Sequence, residues 1–327
     1  MKDNILVLKT NEISDDIWTQ IADGYKICFN IKPSPQDLKN SFSKSITGYC
    51  LHALKFSSDG SLEGHNYFQP IPYIFNEKPI ITALSGGTFV FPQFRKDILI
   101  FNKLFKASLE EAKKEGWKIQ LGVPNENSYT YSTKLNKCKN IGYLNYYILP
   151  VHAAKVLKKN YSFIDKFSSL YANILNKFNL FMSNFYNPKE SIRPIHLKNN
   201  TEFRKLRLNG KQYKKFIKKN IEGTYNIVNE HGILTAYILD FRENEKRSFK
   251  SLSTLVNHII KEEKVDAILY IGTMNLKQYL LTKVPQKFVP QPLPLCVHMI
   301  DSSDKELERV ASSIKNIDFG LINFDVR

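Results

Sequence analysis

Three side chains in the first quarter of the chain have types suited to proton transfer: His52, Glu63 and His65. Imidazoles titrate near neutral pH and carboxylates can be tuned toward it, so either serves as a general base if it reaches a cleft. The plainer reading is a core or edge histidine for His52, which alternates with Leu51 and Ala53 along a strand, and solvated turn residues for the others. Other chemistries lack their spacing. Cys28, Cys50, Cys138 and Cys296 are isolated, with no CxxC and no Cys/His ligand pattern, so buried reduced thiols and no metal site are expected. Gly86-Gly87 is too short for a dinucleotide fingerprint, and neither a phosphate loop, an HExxH nor a nucleophile elbow is present. Tyr213-Lys-Lys-Phe-Ile-Lys-Lys219 interleaves aromatics with lysines. That suits nucleic acid, and equally a helix with an apolar stripe and solvated lysines, so nucleic acid is not the favoured partner.

The elements that must position these groups come from a chain of 327 residues, 43% hydrophobic and 13% aromatic. This is enough for a large core and about two domains, and it excludes global disorder and a small disulfide scaffold. No run of about 18 apolar residues is present, so no transmembrane helix is expected. The apolar run Ile5–Leu8 is too short for a signal-peptide core, and a cytoplasmic protein is the expectation. The formal net charge of +16 is unevenly spread: residues 151–220 hold 16 basic and 3 acidic side chains, and the flanks are nearly neutral. Such a segment suits an acidic partner, an acyl-carrying protein among them.

Periodicity predicts a helix over 14–30, strands over 48–56, 67–75 and 80–92, a helix over 98–115, a strand over 118–123, a short helix to 137 and a strand over 143–149. Helical spacing of large apolar residues covers 152–186, and a second basic helical stretch covers 201–219. The 152–186 helix pairs aromatics with lysines, as a membrane-surface helix does, but burial between two modules is the expectation. Strand, turn, strand, helix and strand then return from 224 onward, ending in a strand over 317–326. The reading is a mixed α/β protein with a first domain over 1–150, a basic helical linker over 151–220 and a second, related domain over 221–327.

Two stretches sharpen this. One is Gly87-Thr-Phe-Val-Phe-Pro92 followed by Gln93-Phe-Arg95; the other is Gly122-Val-Pro-Asn-Glu-Asn-Ser128. Val90, Pro92, Phe94 and Arg95, then Pro124, Asn125 and Ser128, resemble two motifs of the GNAT superfamily of acyl-CoA N-acyltransferases. The likeness covers residues 86–150 well and is fainter over 224–327, where the element order fits a degenerate second module. The resemblance implies tandem GNAT-like modules joined by a helical linker. It implies acetyl-CoA or another acyl-CoA as co-substrate and a small amine acceptor, such as an amino sugar or an envelope or polysaccharide precursor. It places the CoA at Val90, Phe91, Arg95, Lys96, Asp97, Ile98, Asn125 and Ser128, with a backbone N–H near Phe91 for the oxyanion. The family's tyrosine acid, seven residues after the turn Asn, falls at Ser132, so the adjacent Tyr131 is the candidate catalytic acid. The sequence departs from the family at the phosphate turn: Ile98 and Ile100 occupy glycine positions, and Asp97 would repel phosphate. Either the turn has a different shape with Lys96 compensating, or the module does not hold acyl-CoA in the usual way. A GNAT-derived binding protein without catalysis and a Fem-like aminoacyl transferase using aminoacyl-tRNA stay open beside the acyltransferase.

Overall fold

The computed structural model describes residues 4–158 and 161–324. The chain runs β1 Ile5–Lys9, α1 Asp15–Phe29, α2 Pro35–Ser43, β2 Leu51–Phe56, β3 Leu62–Phe75, β4 Lys78–Val90, α3 Leu99–Lys114, β5 Ile119–Gly122, α4 Glu126–Thr130, β6 Lys139–Tyr143 and β7 Asn145–Pro150. It continues through α5 Ala153–Val156, α6 Ser162–Met182, β8 Ile195–Leu197, α7 Thr201–Arg207, β9 Tyr213–Lys218, β10 Ile221–Glu230, β11 Ile233–Glu243, α8 Phe249–Glu262, β12 Ala267–Gly272, β13 Thr282–Lys283, β14 Pro294–Met299 and α9 Lys305–Ala311. These form a mixed α/β fold with two mixed sheets. The first has the order β1-β2-β3-β4-β5-β14-β6 with β8 beside β3; the second has the order β13-β7-β12-β11-β10-β9. Each holds one parallel pair, β4–β5 in the first and β11–β12 in the second.

The chain path does not follow the expected boundaries at 150 and 220. One compact unit takes the residues through Tyr143 together with Pro194–Arg207 and Leu293–Asn316; the other takes Leu144–Arg193, Leu208–Pro292 and the segment from Ile317. The physical reason is strand exchange. β7 pairs with β12 and β13 in the second sheet, whereas β14 pairs with β5 and β6 in the first. The basic 151–220 segment is therefore divided between units.

Local chemistry explains most elements. In α1, Trp18, Ile21 and Ala22 are buried, and in α3 Ile100, Leu104, Phe105 and Ala112 are, as the 3.6-residue period requires. The short α2 begins at Ser34, whose hydroxyl accepts the Asp37 N–H at 3.0 Å, with Pro35 at the first helical position. In the second unit, Ser248 and Ser251 form a capping box at the start of α8, which buries Leu252, Leu255, Val256 and Ile259.

Several expectations fail here. The 201–219 stretch is helical only to Arg207; Gly210 and the following turn lead into β9, a lysine-rich edge strand paired to β10. Lysines on an edge strand discourage further pairing. Residues 317–324 form turns and one isolated bridge, not a strand, and the remainder of the expected strand at 325–326 lies outside the described residues. The 152–186 stretch is two helices, and most large apolar residues of α6 are exposed, while Leu175 packs on the core.

In the second unit, Glu243 accepts hydrogen bonds from Lys189, from Asn187 at 2.7 Å and from Ser248 at 3.0 Å. Burial opposes its ionisation, but these donors win and hold the carboxyl down to about 2. A depressed carboxyl contributes stability that is present above its ordinary value of 4.5 and is lost as pH falls toward about 2. Urea midpoints across this range are expected to drop less steeply in Glu243→Gln than in the parent.

Candidate functional site

The site begins where two strands part. β4 and β5 pair in parallel only over Thr82–Leu84 and Ile119–Leu121. β4 then continues to Val90 on its ladder with β3, whereas β5 ends at Gly122. From Ser85 onward the β5-side edge of β4 is uncovered. A bulge assists the departure: the register shifts between His65 and Tyr67, so Gly87 and Thr88 together oppose Asn66. Gly87 has φ +54, and a Cβ there would collide with the hydroxyl of Tyr25. The buried Asn66 ties the bulge down. Its Oδ1 accepts from Thr88 at 2.7 Å and Ser85 at 3.4 Å, and its Nδ2 donates to Ser108 of α3 at 2.7 Å.

The opening is a cleft of about 740 Å³ wholly within the first unit. Ser85–Val90 form one wall; Gly122–Asn125, Ser128, Tyr131 and Ser132 form the other; Arg95, Asp97 and Ile98 stand at one end. Of the sequence candidates, Val90, Arg95, Asp97, Ile98, Asn125, Ser128 and Tyr131 line it. Phe91 and Lys96 do not. Phe91 is buried against Phe89, and its N–H donates to the Glu63 carbonyl at 2.9 Å, so it is no oxyanion donor. Neighbouring residues of an antiparallel ladder point their N–H groups to opposite edges, so Val90 presents its N–H to the open edge instead.

Several lining groups are already committed. The Arg95 Nε donates to the Val90 carbonyl at 2.9 Å and its Nη2 to Cys28 Sγ at 3.5 Å. The Asp97 carboxylate accepts the Leu99 N–H at 2.9 Å, taking one of the free donors at the start of α3 where a phosphate would bind. Ile98 is exposed at the rim, and Ile100 is buried with Ala53 and Leu104. The turn thus has a different shape from a glycine turn. Asn125 starts α4, its Oδ1 accepting from both the N–H and the hydroxyl of Ser128 at 3.0 Å. A π-helical turn over Tyr131–Leu135 follows, a feature frequent at functional sites. There Tyr131 packs on Phe101 with ring centroids 5.6 Å apart.

Asn136 was not among the candidates. It is buried and lines the cleft; its Oδ1 accepts from Asn102 at 2.9 Å, while its Nδ2 has no partner. That donor is itself closed off from solvent, so a ligand carbonyl could meet it only after the side chain turns toward the cleft. Cys138 and Cys296 also line the cleft, but burial pushes their thiols up to about 12 and about 11, so both stay protonated and poorly nucleophilic.

The three proton-transfer candidates lie elsewhere. His52 and His65 are fully buried, with His52 Nδ1 3.0 Å from His65 Nε2 and His52 Nε2 3.1 Å from the Thr10 hydroxyl. Glu63 pairs with Lys55 at 2.8 Å. None lines the cleft. Among the described residues, no group of three or more His, Cys, Asp or Glu could hold a metal ion.

The second unit repeats the short parallel pairing. β11 and β12 pair in parallel over Thr235–Tyr237 and Ala267–Leu269, again three residues. Beyond them the C-terminal segment takes the edge of β12: Thr273 N–H donates to the Phe319 carbonyl at 2.8 Å, Leu321 N–H donates to the Ile271 carbonyl at 3.3 Å, and Gly272 bridges Gly320.

No family model and no curated protein matches the sequence. Solved structures share the fold. A GCN5-related N-acetyltransferase from Kribbella flavida aligns over 94% of this chain and 74% of its own, at 10% identity and a TM-score of 0.57. One from Anabaena variabilis aligns over 91% and 73%, at 10% identity and a TM-score of 0.56. Eis1 from Mycobacterium abscessus aligns over 94% and 76%, at 10% identity and a TM-score of 0.51.

Burial lowers both imidazole pKa values of the buried pair, His65 to about 3. The folded state therefore refuses protons that the unfolded chain accepts below its ordinary value of 6.5, and stability falls as pH drops from there toward about 3. In His65→Gln this slope is expected to flatten between pH about 6 and about 4 in thermal melts.

Proposed function

We propose that this chain, which has the fold of the GNAT superfamily, transfers an acyl group from acyl-CoA to an amine in the cleft of its first unit. One observation carries the reading: β4 leaves β5 after three residue pairs and presents to a cleft an edge that no strand covers, with the Val90 carbonyl taken by Arg95. An extended pantetheine arm has amides that pair with such an edge as an added strand would. Arg95 sits at the end where the pyrophosphate would lie, although its Nε is engaged and Asp97 occupies the first amide of α3.

In this reading, the acceptor nitrogen attacks the thioester carbonyl carbon. The Val90 N–H stabilises the negative charge that develops on the carbonyl oxygen. The C–S bond then breaks, the departing sulfur takes the Tyr131 proton, and the nitrogen loses its proton to water. Direct transfer agrees with Cys138 and Cys296 being held as neutral thiols. Acetyl-CoA is the simplest donor. A small amine, such as an amino sugar or an envelope or polysaccharide precursor, is the acceptor class. The second unit, where the C-terminal segment pairs with β12, serves as a degenerate partner module.

Calorimetric titration with acetyl-CoA tests this, with binding in the micromolar range expected. A folded protein that ignores millimolar acetyl-CoA would remove the reading in favour of a non-catalytic GNAT-like scaffold. Salt-sensitive binding of aminoacyl-tRNA would favour the Fem-like alternative. Asp97→Asn keeps the acceptor for Leu99 N–H and removes a charge beside the pyrophosphate, so acetyl-CoA should bind about two- to fivefold tighter. Tyr131→Phe should lower kcat about 100-fold with KM little changed.

A further inference from the structure

Helix α6 is inside out. Its buried residues are Ala172, Asn176 and Asn179, and Asn176 Nδ2 donates to Asn257 Oδ1 on α8 at 3.1 Å. Its large apolar residues point to solvent: Phe163, Phe167, Leu170, Ile174, Phe178 and Phe181 are 57–70% exposed. At about 100° per residue they fall in one arc about 80° wide, opposite the buried arc. The stripe continues to Phe185, 75% exposed. Leu175 packs on the core and the fully buried residues are small or polar, while the aromatics face out, which makes a surface selected for something other than the core.

Charge identifies the occupant. Lys166 and Lys177 are exposed along one flank of the stripe, and Lys158 is exposed ahead of its first turn. Asp165, the sole carboxylate of the helix, is turned to the backbone, accepting the Ala154 and Lys155 N–H groups at 2.7 and 3.3 Å. A second copy of the chain would bring lysines against lysines with no carboxylate from α6 to meet them. An anionic bilayer satisfies both parts of the face, taking the rings between acyl chains and the lysines among headgroups. Among the described residues, no helix is long and apolar enough to cross a membrane, so α6 would lie in the interface plane. We propose that α6 docks this protein on an anionic phospholipid surface.

Co-sedimentation of the full chain with vesicles tests this, comparing pure phosphatidylcholine with phosphatidylcholine containing phosphatidylglycerol. Binding is expected to the anionic vesicles and to weaken with salt. A triple variant, Phe167→Gln, Ile174→Gln and Phe178→Gln, should lose binding by about tenfold or more while its circular dichroism and melting change little, because these side chains are mostly exposed. Lys166→Glu with Lys177→Glu should lose it on anionic vesicles as well. The proposal is overturned if neither vesicle binds, or if binding survives the triple variant. It is also overturned if the chain ignores vesicles and sediments as a dimer that the triple variant makes monomeric.

Discussion

The cleft depends on the parting of β4 from β5. Three residue pairs hold the strands in register, and then the bulge at Gly87 and Thr88 turns β4 away while Pro124 follows the end of β5. A strand edge without a partner must be solvated, covered or used. In the first unit it forms the wall of a cleft; in the second, the Phe319–Leu321 segment pairs instead with β12, the other strand of the parallel pair. Asn66 is central to the cleft, because its amide joins the bulge of one wall to α3.

The electrostatics of the cleft are restrained. Arg95 is folded back on its own strand, Asp97 caps the helix that would otherwise greet a phosphate, and the two buried thiols are kept neutral. What remains for chemistry is mostly backbone amide and a tyrosine hydroxyl. These groups polarise a carbonyl and supply a proton; they do not make a nucleophile. That composition fits a reaction in which both reactants are brought in and the protein orients them.

The net charge of +16 resolves into separate uses once it is placed on the fold. Some lysines guard an edge strand, β9, against further pairing. Others neutralise buried carboxylates, as Lys189 does for Glu243 and Lys155 for Asp266. The lysines beside the α6 stripe have no carboxylate on that helix to answer them, and they carry the argument for an outside partner.

Much was legible in advance. The 3.6-residue spacing in 14–30, 98–115 and 248–263 and the alternation of the β strands set local structure that the fold keeps, because each of these segments buries one face against its own neighbours. The Val90–Arg95 and Pro124–Ser128 stretches marked both walls of the cleft, since their residues act within one turn of chain. Three matters were decided only by tertiary structure. Which sheet β7 and β14 join depends on pairing partners more than 100 residues away, which no local pattern encodes. His65 read as a solvated turn residue until the sheet stacked it on His52 in its interior. The apolar stripe of 152–186 is equally periodic whether it faces a core or a solvent: periodicity reports that a face exists, and only packing reports which side is covered.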